Sequence, residues 1–371
     1  MKLKIEGVCF VQKLSFYFEF SFVCINFASV KKKIVFVMNP ISGTASKRGI
    51  PDIIDGTIDK TRFDCELLTT AYAGHGYELA AKAREEGADA VVAIGGDGTV
   101  NEVGRALINS QTALGIVPCG SGNGLARHLL LPKTVKRTLE VINRYEIHEL
   151  DYGTINDHPF FCTCGMGFDA HVSKKFAEAG KRGPITYVEN VLREGLKYEP
   201  ETYEIVDENG VMRYKAFLIS CANASQYGNN AYIAPQASMS DGLLDVIIME
   251  PFDVLEAPQI SIEMFGKTLD KSSKIKTFRC KHLHINRRKE GVIHFDGDPV
   301  MEKADVDVRV HEKGIRVIVN PDADKSQRRP NAVQSAAANL FNEINVVRED
   351  ITKQTRHIQA LSRVLQRKLN L

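Results

Sequence analysis

The sequence has little net charge, no long apolar run and no paired cysteines, and each absence excludes a class of protein. It carries 48 basic and 46 acidic residues, and the formal net charge of +2 is too small to argue for nucleic-acid binding. No stretch of about 18 uncharged apolar residues occurs, so we expect no transmembrane span. The hydrophobic fraction of 44% is ordinary for a soluble globular protein, and 371 residues are enough for two domains.

The cysteines and histidines predict neither a disulfide framework nor a zinc site. The eight cysteines are scattered, and no two of them form a CxxC pair. Cys162 and Cys164 are too close together for a usual zinc knuckle, and no HExxH motif is present. Scattered cysteines are typical of free thiols in a reducing compartment, so we expect a cytoplasmic protein.

The two ends of the chain differ from its body. Residues 1–30 are rich in Phe and Val, as a signal peptide or anchor would be, but Lys13 and Glu19 interrupt them and no clean cleavage site follows. We interpret 1–30 as a poorly defined extension, with a peripheral membrane segment as the alternative. Residues 322–371 carry nine basic and five acidic residues and an apolar stripe at helical spacing. This tail is either a helix packed on protein or a basic amphipathic helix on anionic lipid.

Between these ends, two patterns predict two domains, 31–150 and 151–321. The first alternates buried apolar runs with helix-forming segments, which predicts βαβ units and a parallel sheet. The second has short alternating segments separated by turn residues, for example at 208–210 and 312–314, which predicts an antiparallel sandwich. We therefore expect a Rossmann-like α/β nucleotide-binding domain followed by an antiparallel β-sandwich domain, interrupted by one helix around 186–198.

A glycine-rich segment, GGDGT at 95–99, is the strongest functional signal. It lies between the apolar run 90–94 and a predicted helix at 100–108. Glycines let a ligand approach the backbone, and a helix N-terminus offers N–H groups and a partial positive charge that suit a phosphate. The carboxylate of Asp97 is compatible with a bound phosphate only if a cation lies between the two groups, as Mg²⁺ bound to ATP does.

Two further loops follow predicted strands of the same sheet. The loop 39–43 (NPISG) ends the first strand, and the loop 120–124 (GSGNG) follows the fourth. Because ligands bind beyond the carboxyl ends of parallel strands, all three loops can converge on one nucleotide. None matches GxxxxGK[ST], and no GxGxxG follows the first strand, which disfavours a hydride-transfer Rossmann enzyme.

Together these loops resemble those of the diacylglycerol kinase catalytic family, which includes bacterial soluble lipid kinases and, more distantly, sphingosine and ceramide kinases. GGDGT alone is shared with NAD kinases and phosphofructokinases. The loop 39–43, Asn101-Glu102 after Thr99 and the loop 120–127 narrow the resemblance, which covers about residues 32–320. It implies a two-domain fold with ATP in the cleft between the α/β domain and the sandwich.

The resemblance also implies which residues contact the nucleotide and the metal. The residues expected to bind ATP are Asn39, Pro40, Ile41, Ser42, Gly43, Thr70, Gly96, Asp97, Gly98, Thr99, Val100, Asn101, Glu102 and Ser121. Thr69 is the alternative to Thr70. Asp241 lies in a turn similar to the family's DGxLD, where a structural Mg²⁺ is held by the aspartate and by backbone carbonyls, here those of Ser238 and Leu243. The alternative is an acidic turn that only leads into a strand.

The segment 295–299 (FDGDP) resembles the family's DGE motif, in which the last acid is the proposed general base. Asp298 stands where Glu is usual and is one methylene shorter, so Asp296 is considered to share the task; with Asp97 these are the predicted catalytic residues. Many bacterial members read GTxND at the phosphate loop, whereas Gly124 replaces that acid here, as in the sphingosine and ceramide kinase branch. The departure leaves open both the lipid and the metal ligands of this loop.

These features predict an ATP- and Mg²⁺-dependent kinase of a lipid hydroxyl, with diacylglycerol or a sphingoid or ceramide-type lipid as substrate. Two alternatives remain: a kinase of a soluble acceptor such as NAD, and a non-catalytic nucleotide-binding lipid sensor. We expect a cytoplasmic protein that meets its lipid transiently at the membrane surface, with no nucleic-acid partner. A homodimer is one option for its oligomeric state.

Overall fold

The computed structural model describes residues 31–43, 47–179, 195, 198–253 and 256–323. Within these ranges the chain forms sixteen strands, seven α-helices and one short 3-10 helix. The expected extension 1–30, nearly all of the tail 322–371 and most of the expected helix 186–198 lie outside the described residues. No helix in the described ranges is long and apolar enough to cross a membrane.

The first four strands form a parallel sheet in the order β2-β1-β3-β4. Their bounds are β1 Lys32–Met38, β2 Phe63–Thr69, β3 Ala90–Gly95 and β4 Ala113–Pro118. Strands β1 and β3 are continuous apolar runs because helices cover both faces of the sheet. Alternate residues of β1 point to opposite faces, so Phe36 packs in one core cluster and Val37 in another.

Helices from between these strands cover the two faces of the sheet. Helices α1 (Ile50–Thr57) and α5 (Val135–Arg144) pack on the face that contains Phe36. The opposite face is covered by α2 (His75–Glu85), α3 (Asp97–Leu107) and the short α4 (Gly124–His128). This second face also contacts the C-terminal half of the chain, so the site described below lies on the side of α3.

The C-terminal half is a sandwich of two sheets around one apolar core. The first layer contains β5 Ile147–Ile155, β6 His158–Phe160, β8 Glu201–Asp207, β9 Gly210–Ala216, β13 His282–Arg287 and β16 Asp305–Ile318. The second, antiparallel layer contains β7 Thr163–Gly167, β10 Leu218–Ala222, β11 Leu244–Met249, β12 Ile275–Cys280, β14 Gly291–Phe295 and β15 Asp298–Glu302. Two helices, α6 (Phe168–Ala179) and α7 (Ala257–Phe265), and a 3-10 helix (Leu269–Lys271) pack against this second layer. The predicted fold class, α/β followed by an antiparallel sandwich, is confirmed.

The two halves share a sheet through the long strand β16, which the sequence does not predict. Strand β16 pairs with β5 along its length, with β13 near its start and with β4 near its end, where Val317 lies opposite Leu114. The first layer of the sandwich and the parallel sheet are therefore one ten-stranded sheet. Strand β5 also runs across the domain boundary expected at residue 150.

The turn expected at 312–314 is wrong, because these residues form a bulge inside β16. Lys313 has a φ of +53°, and its backbone N–H donates to Asp151 Oδ1 at 2.7 Å. Between His311 and Ile315 the strand β16 has two more residues than its partner β5, and the buried Asp151 provides a hydrogen-bond acceptor for one amide that leaves the ladder. Strands β9 and β10 follow each other in the chain but belong to different layers, and they separate at Phe217.

Candidate active site

The three predicted loops at the carboxyl ends of β1, β3 and β4 are in close backbone contact with one another at glycine residues. A Cβ atom on Gly120 would lie 2.5 Å from the Cα atom of Gly96. A Cβ atom on Gly43 would lie 1.9 Å from the carbonyl oxygen of Cys119, and the φ of +71° at Gly43 also favours glycine. The loops therefore form a continuous backbone surface at one edge of the sheet, where the sequence prediction places them.

Asn39 ties the first loop to the start of α3. Its side-chain Nδ2 donates to the hydroxyl of Thr99 at 3.2 Å, and its Oδ1 accepts from the N–H of Ile41 at 3.1 Å. The Ser42 hydroxyl donates to the Asn39 carbonyl at 3.3 Å, and the ammonium group of the buried Lys47 donates to the Ser42 carbonyl. Ile41 is 81% exposed, so the outer surface of the loop remains open to solvent.

The N-terminus of α3 presents backbone toward solvent. Gly96 is its N-cap residue, and no side chain caps the helix. Gly98 is exposed, and no atom lies within 4 Å of the position that its Cβ would occupy. The following residues Thr99, Val100 and Asn101 are buried. An uncapped helix N-terminus with accessible backbone is well suited to an anion.

The carboxylate of Asp97 connects two of the loops. It accepts hydrogen bonds from the N–H of Asn123 at 2.8 Å and from the N–H of Gly124 at 2.6 Å. Burial raises the pKa of Asp97, and these two N–H groups act against the rise. Both of its oxygens therefore hold the loop 120–124 against α3, and Ser121 stays exposed in that loop.

Glu102 caps the neighbouring helix α2. Its two carboxylate oxygens accept from the N–H of Gly74 at 2.8 Å and from the N–H of Gly76 at 3.0 Å. The start of α2 is thus capped by a carboxylate from another helix, whereas the N-cap residue Gly96 of α3 has no side-chain cap. The motif singles out Glu102 in the sequence, but nothing in the sequence indicates this partner.

The end of β2 distinguishes the two candidate threonines. Thr70 is buried, and its N–H donates to the Met38 carbonyl at 2.9 Å. Thr69 is exposed on the outer side of the strand. Thr70 is therefore the buried one of the two threonines, and its choice over Thr69 as an ATP contact stays a prediction.

Asp296 joins the two halves of the chain. One carboxylate oxygen accepts from Asn101 Nδ2 and from the N–H of Phe161, both at 2.8 Å. The other accepts from the N–H groups of Cys162 at 2.7 Å and Thr163 at 3.1 Å. Burial raises the pKa of Asp296, and the four N–H donors act against the rise. Because both oxygens are occupied, Asp296 orients the hairpin of β14 and β15 against α3.

Asp298 lies on that hairpin, and its carboxylate faces charged residues of α3. Desolvation raises the pKa of Asp298, Arg105 and His294 act to lower it, and Glu102 acts to raise it. We find no hydrogen bond to its carboxylate within the described ranges. A carboxylate with a raised pKa and free oxygens is the kind of group that can serve as a general base.

A second polar cluster lies beside Asp298, and the sequence reasoning missed it. Asp169 Oδ2, at the start of α6, is 3.0 Å from His294 Nε2 and accepts from the Tyr227 hydroxyl at 3.1 Å. His294 is 2% exposed, and its Nδ1 has no hydrogen-bond partner in the described part of the chain. The three residues come from distant segments, so no local pattern could have revealed the cluster.

The predicted metal turn lies apart from these loops, in the segment between β10 and β11. Asp241 Oδ1 accepts from the N–H of Leu243 at 3.2 Å, and Oδ2 is 3.8 Å from the guanidinium of Arg279. The hydroxyl groups of Ser238 and Ser240 are 3.3 Å apart. No group of three or more His, Cys, Asp or Glu residues that could hold a metal occurs within the described ranges. A cation here would therefore depend on backbone carbonyls as well as on Asp241.

The fold and the loops define a two-domain protein with a nucleotide-type α/β domain and a β-sandwich domain. Two family models match the chain in the same order: the diacylglycerol kinase catalytic domain matches residues 33–155, and the YegS C-terminal NAD kinase beta sandwich-like domain matches residues 162–319. The chain belongs to the diacylglycerol kinase family of lipid kinases, in its YegS-like form. The family expected from the loops is confirmed.

Sequence relatives agree with this family, and a solved structure agrees with the fold. The chain is 29% identical over 250 residues to a Chromohalobacter salexigens protein named "Probable lipid kinase YegS-like", over 66% of this chain and 80% of that protein. It is 25% identical over 274 residues to a Staphylococcus saprophyticus diacylglycerol kinase, over 72% and 90% of the two chains. A diacylglycerol kinase structure from Bacillus anthracis str. Sterne matches the fold with a TM-score of 0.63 and 18% identity, over 78% of this chain and 97% of that one. By its family the chain is a kinase whose acceptor is an alcohol group.

Proposed function

We propose that the protein transfers the γ-phosphoryl group of ATP, with Mg²⁺, to the hydroxyl group of diacylglycerol or of a sphingoid or ceramide-type lipid. The observation that carries the proposal is the contact between Asp296 and Asn101. In this proposal the uncapped N-terminus of α3 binds the phosphate groups of ATP, and the contact holds the hairpin that carries Asp298 against α3. The site that binds the phosphate groups of ATP is thereby on α3, and the general base is on the hairpin that packs against α3.

The loops fit the triphosphate of ATP. The backbone at Gly98 is open, Ser121 is exposed, and Asp97 and Asn39 use their side chains to fix the loops. ATP supplies the phosphoryl group, and the transition state of such a transfer needs mostly positioning and charge neutralisation. Of the residues predicted to contact ATP, Asp97, Asn39 and Glu102 act in this proposal by holding the loops and the start of α2 in place.

The donor set around Asp241 fits a hard cation. It consists of oxygen atoms, namely the Asp241 carboxylate and the carbonyls of Ser238 and Leu243, which is the chemistry that Mg²⁺ prefers. Arg279 is a weak competitor, because its Nη1 is 3.8 Å from Asp241 whereas its Nε is 3.1 Å from Asp245 Oδ1. We propose that these three residues hold a structural Mg²⁺ and fix the turn that leads into β11.

Asp298 is the proposed base for the acceptor hydroxyl. A lipid hydroxyl is a weak nucleophile, and a carboxylate within hydrogen-bond reach can take its proton as the phosphoryl group transfers. In this proposal Asp296 does not share this task but holds the hairpin, because its oxygens already accept four hydrogen bonds. The side chain of Asp298 is one methylene shorter than the usual Glu. In this proposal the position of the hairpin, which Asp296 fixes, allows for this difference.

A lipid acceptor is supported by the names of the relatives, one a probable lipid kinase and one a diacylglycerol kinase. The second domain model, however, is described as similar to an NAD kinase sandwich, which keeps NAD as a second candidate acceptor. The test is to incubate the protein with ATP and Mg²⁺ and a panel of diacylglycerol, sphingoid bases, ceramide, polyprenol and NAD, with mass spectrometry of the products. Asp298→Asn serves as the matched control.

We expect one lipid to gain a phosphate with the wild-type protein and to gain almost none with Asp298→Asn. Phosphorylation of NAD alone would replace the lipid proposal with the soluble acceptor. ATP binding without a phosphorylated product from any acceptor would contradict the proposed activity and favour a lipid-sensing module.

A further inference from the structure

We propose that the outer face of α7 and the adjacent 3-10 helix dock the protein on an anionic lipid surface. We call this surface the α7 patch; it consists of Ile262, Phe265, Lys267 and Lys271. The inference rests on the proposed lipid kinase function, because it explains how the cleft reaches a substrate held in a bilayer.

The apolar part of the α7 patch is exposed although its helix is well anchored. Ile262 is 52% exposed and Phe265 is 53% exposed, and their spacing of three places them on one side of the helix. The opposite side of α7 is buried through Ile260 and Glu263. Two large apolar side chains exposed on the same helix face form a surface that favours a partner.

The charge around the pair complements anionic lipid. The segment 257–281 contains six basic residues, of which Lys274, Arg279 and Lys281 pair with Glu256, Asp245 and Glu312 at 3.4, 3.1 and 2.6 Å, and the other three are Lys267, Lys271 and Lys276. Its two acids are Glu263, which is buried, and Asp270, and burial raises the pKa of both. Lys271 and Lys276 are exposed. Exposed apolar side chains flanked by lysine are typical of helices that lie in the membrane interface.

The α7 patch is connected to the cleft by one short segment. The N–H of Tyr232 donates to the Met264 carbonyl of α7 at 3.2 Å, and the Lys267 ammonium group lies 5.0 Å from the centre of the Tyr232 ring. Five residues earlier, the Tyr227 hydroxyl donates to Asp169 in the site. Five residues span at most about 18 Å. A bilayer that contacts α7 therefore lies close to the cleft that the acceptor hydroxyl must enter.

The direct test is sedimentation of the full-length protein with vesicles of phosphatidylcholine alone and of phosphatidylcholine with phosphatidylglycerol. The variant Ile262→Ser/Phe265→Ser removes the apolar pair, and Val211→Ser is the matched control because Val211 is 63% exposed on the β8–β9 hairpin. We expect the wild-type protein and the control to bind anionic vesicles. The double variant should bind about tenfold more weakly or worse, with an unchanged melting temperature.

A kinetic arm separates the docking surface from the proposed activity. On vesicle-borne diacylglycerol the double variant should show a raised KM, whereas kcat on a soluble short-chain diacylglycerol should be unchanged. Equal vesicle binding by the double variant and the wild type would overturn the inference, as would a dimer that the double variant converts to a monomer. If the wild type phosphorylates no lipid, the proposed function fails, while vesicle binding still decides whether the α7 patch docks.

Discussion

Replacement of Asp298 by Asn tests the assignment of the general base. The carboxamide has nearly the same shape but cannot accept the proton of the acceptor hydroxyl. In the described ranges no hydrogen bond is made to this carboxylate, and the residue is exposed, so the substitution removes only its charge interactions with neighbours such as Arg105. We therefore expect the free energy of unfolding to change by less than about 0.5 kcal/mol.

The expected loss of activity follows from the role of a general base. Such a group contributes about 10²- to 10⁴-fold to the rate, which corresponds to about 3–5 kcal/mol of transition-state stabilisation. Because Asp298 makes no hydrogen bond to the loops among the described residues, the KM for ATP should stay within about twofold of wild type. The loss should therefore fall on kcat.

The pH profile distinguishes a base from a residue that only fills space. Asp298 must be ionised to accept a proton, so kcat/KM rises as the pH increases through its pKa. Desolvation raises that pKa above the usual 3.8, and the positive charge of Arg105 acts to lower it. The acid limb should thus lie above pH 3.8 in the wild type, move to higher pH in Arg105→Gln and disappear in Asp298→Asn.

Steady-state assays with γ-labelled ATP and the lipid identified by the panel provide these values. A variant Asp298→Asn with more than about half of the wild-type kcat would refute the assignment. A shift of the acid limb to lower pH in Arg105→Gln would contradict the electrostatic argument, even if the residue were essential.

Three further changes test the loop structure. Asp97→Asn leaves one loop N–H facing the NH₂ group of the new side chain. Urea unfolding should therefore show that the free energy of unfolding falls by about 2 kcal/mol. Glu102→Gln should lower the free energy of unfolding by about 1 kcal/mol even without nucleotide, because it weakens the cap of α2; an effect only with ATP present would contradict this role. Gly43→Ala should weaken ATP binding about tenfold or more in calorimetry, because its Cβ would meet the Cys119 carbonyl at 1.9 Å and φ is +71°; unchanged affinity would contradict close packing of the loops.

The parallel sheet and its loops could be predicted from the sequence because their signals are local. The apolar run at 90–94 becomes β3, and GGDGT begins α3 directly after it. Glycines at 96 and 120 indicate close approach of backbone, and the structure brings these two positions together. Local periodicity and turn-forming residues are therefore enough to predict the parallel sheet and the loops of the candidate site.

The contacts between distant segments could not be predicted. Asp296 and Asn101 are 195 positions apart, and no spacing rule relates them. The turn residues at 312–314 form a bulge because buried Asp151 accepts the Lys313 N–H, and that partner comes from the strand β5. The cluster of Asp169 with His294 arises in the same way. Each of these features depends on tertiary packing, which local propensity does not encode.

The most direct test of the central claim is a calorimetric titration of the protein with Mg²⁺ and ATP, carried out in parallel on Asp298→Asn. The loops at the ends of β1, β3 and β4 should bind the nucleotide with the same affinity in both proteins, and only the wild type should then phosphorylate lipid. If neither protein binds the nucleotide, the assignment of these loops as the ATP site is contradicted.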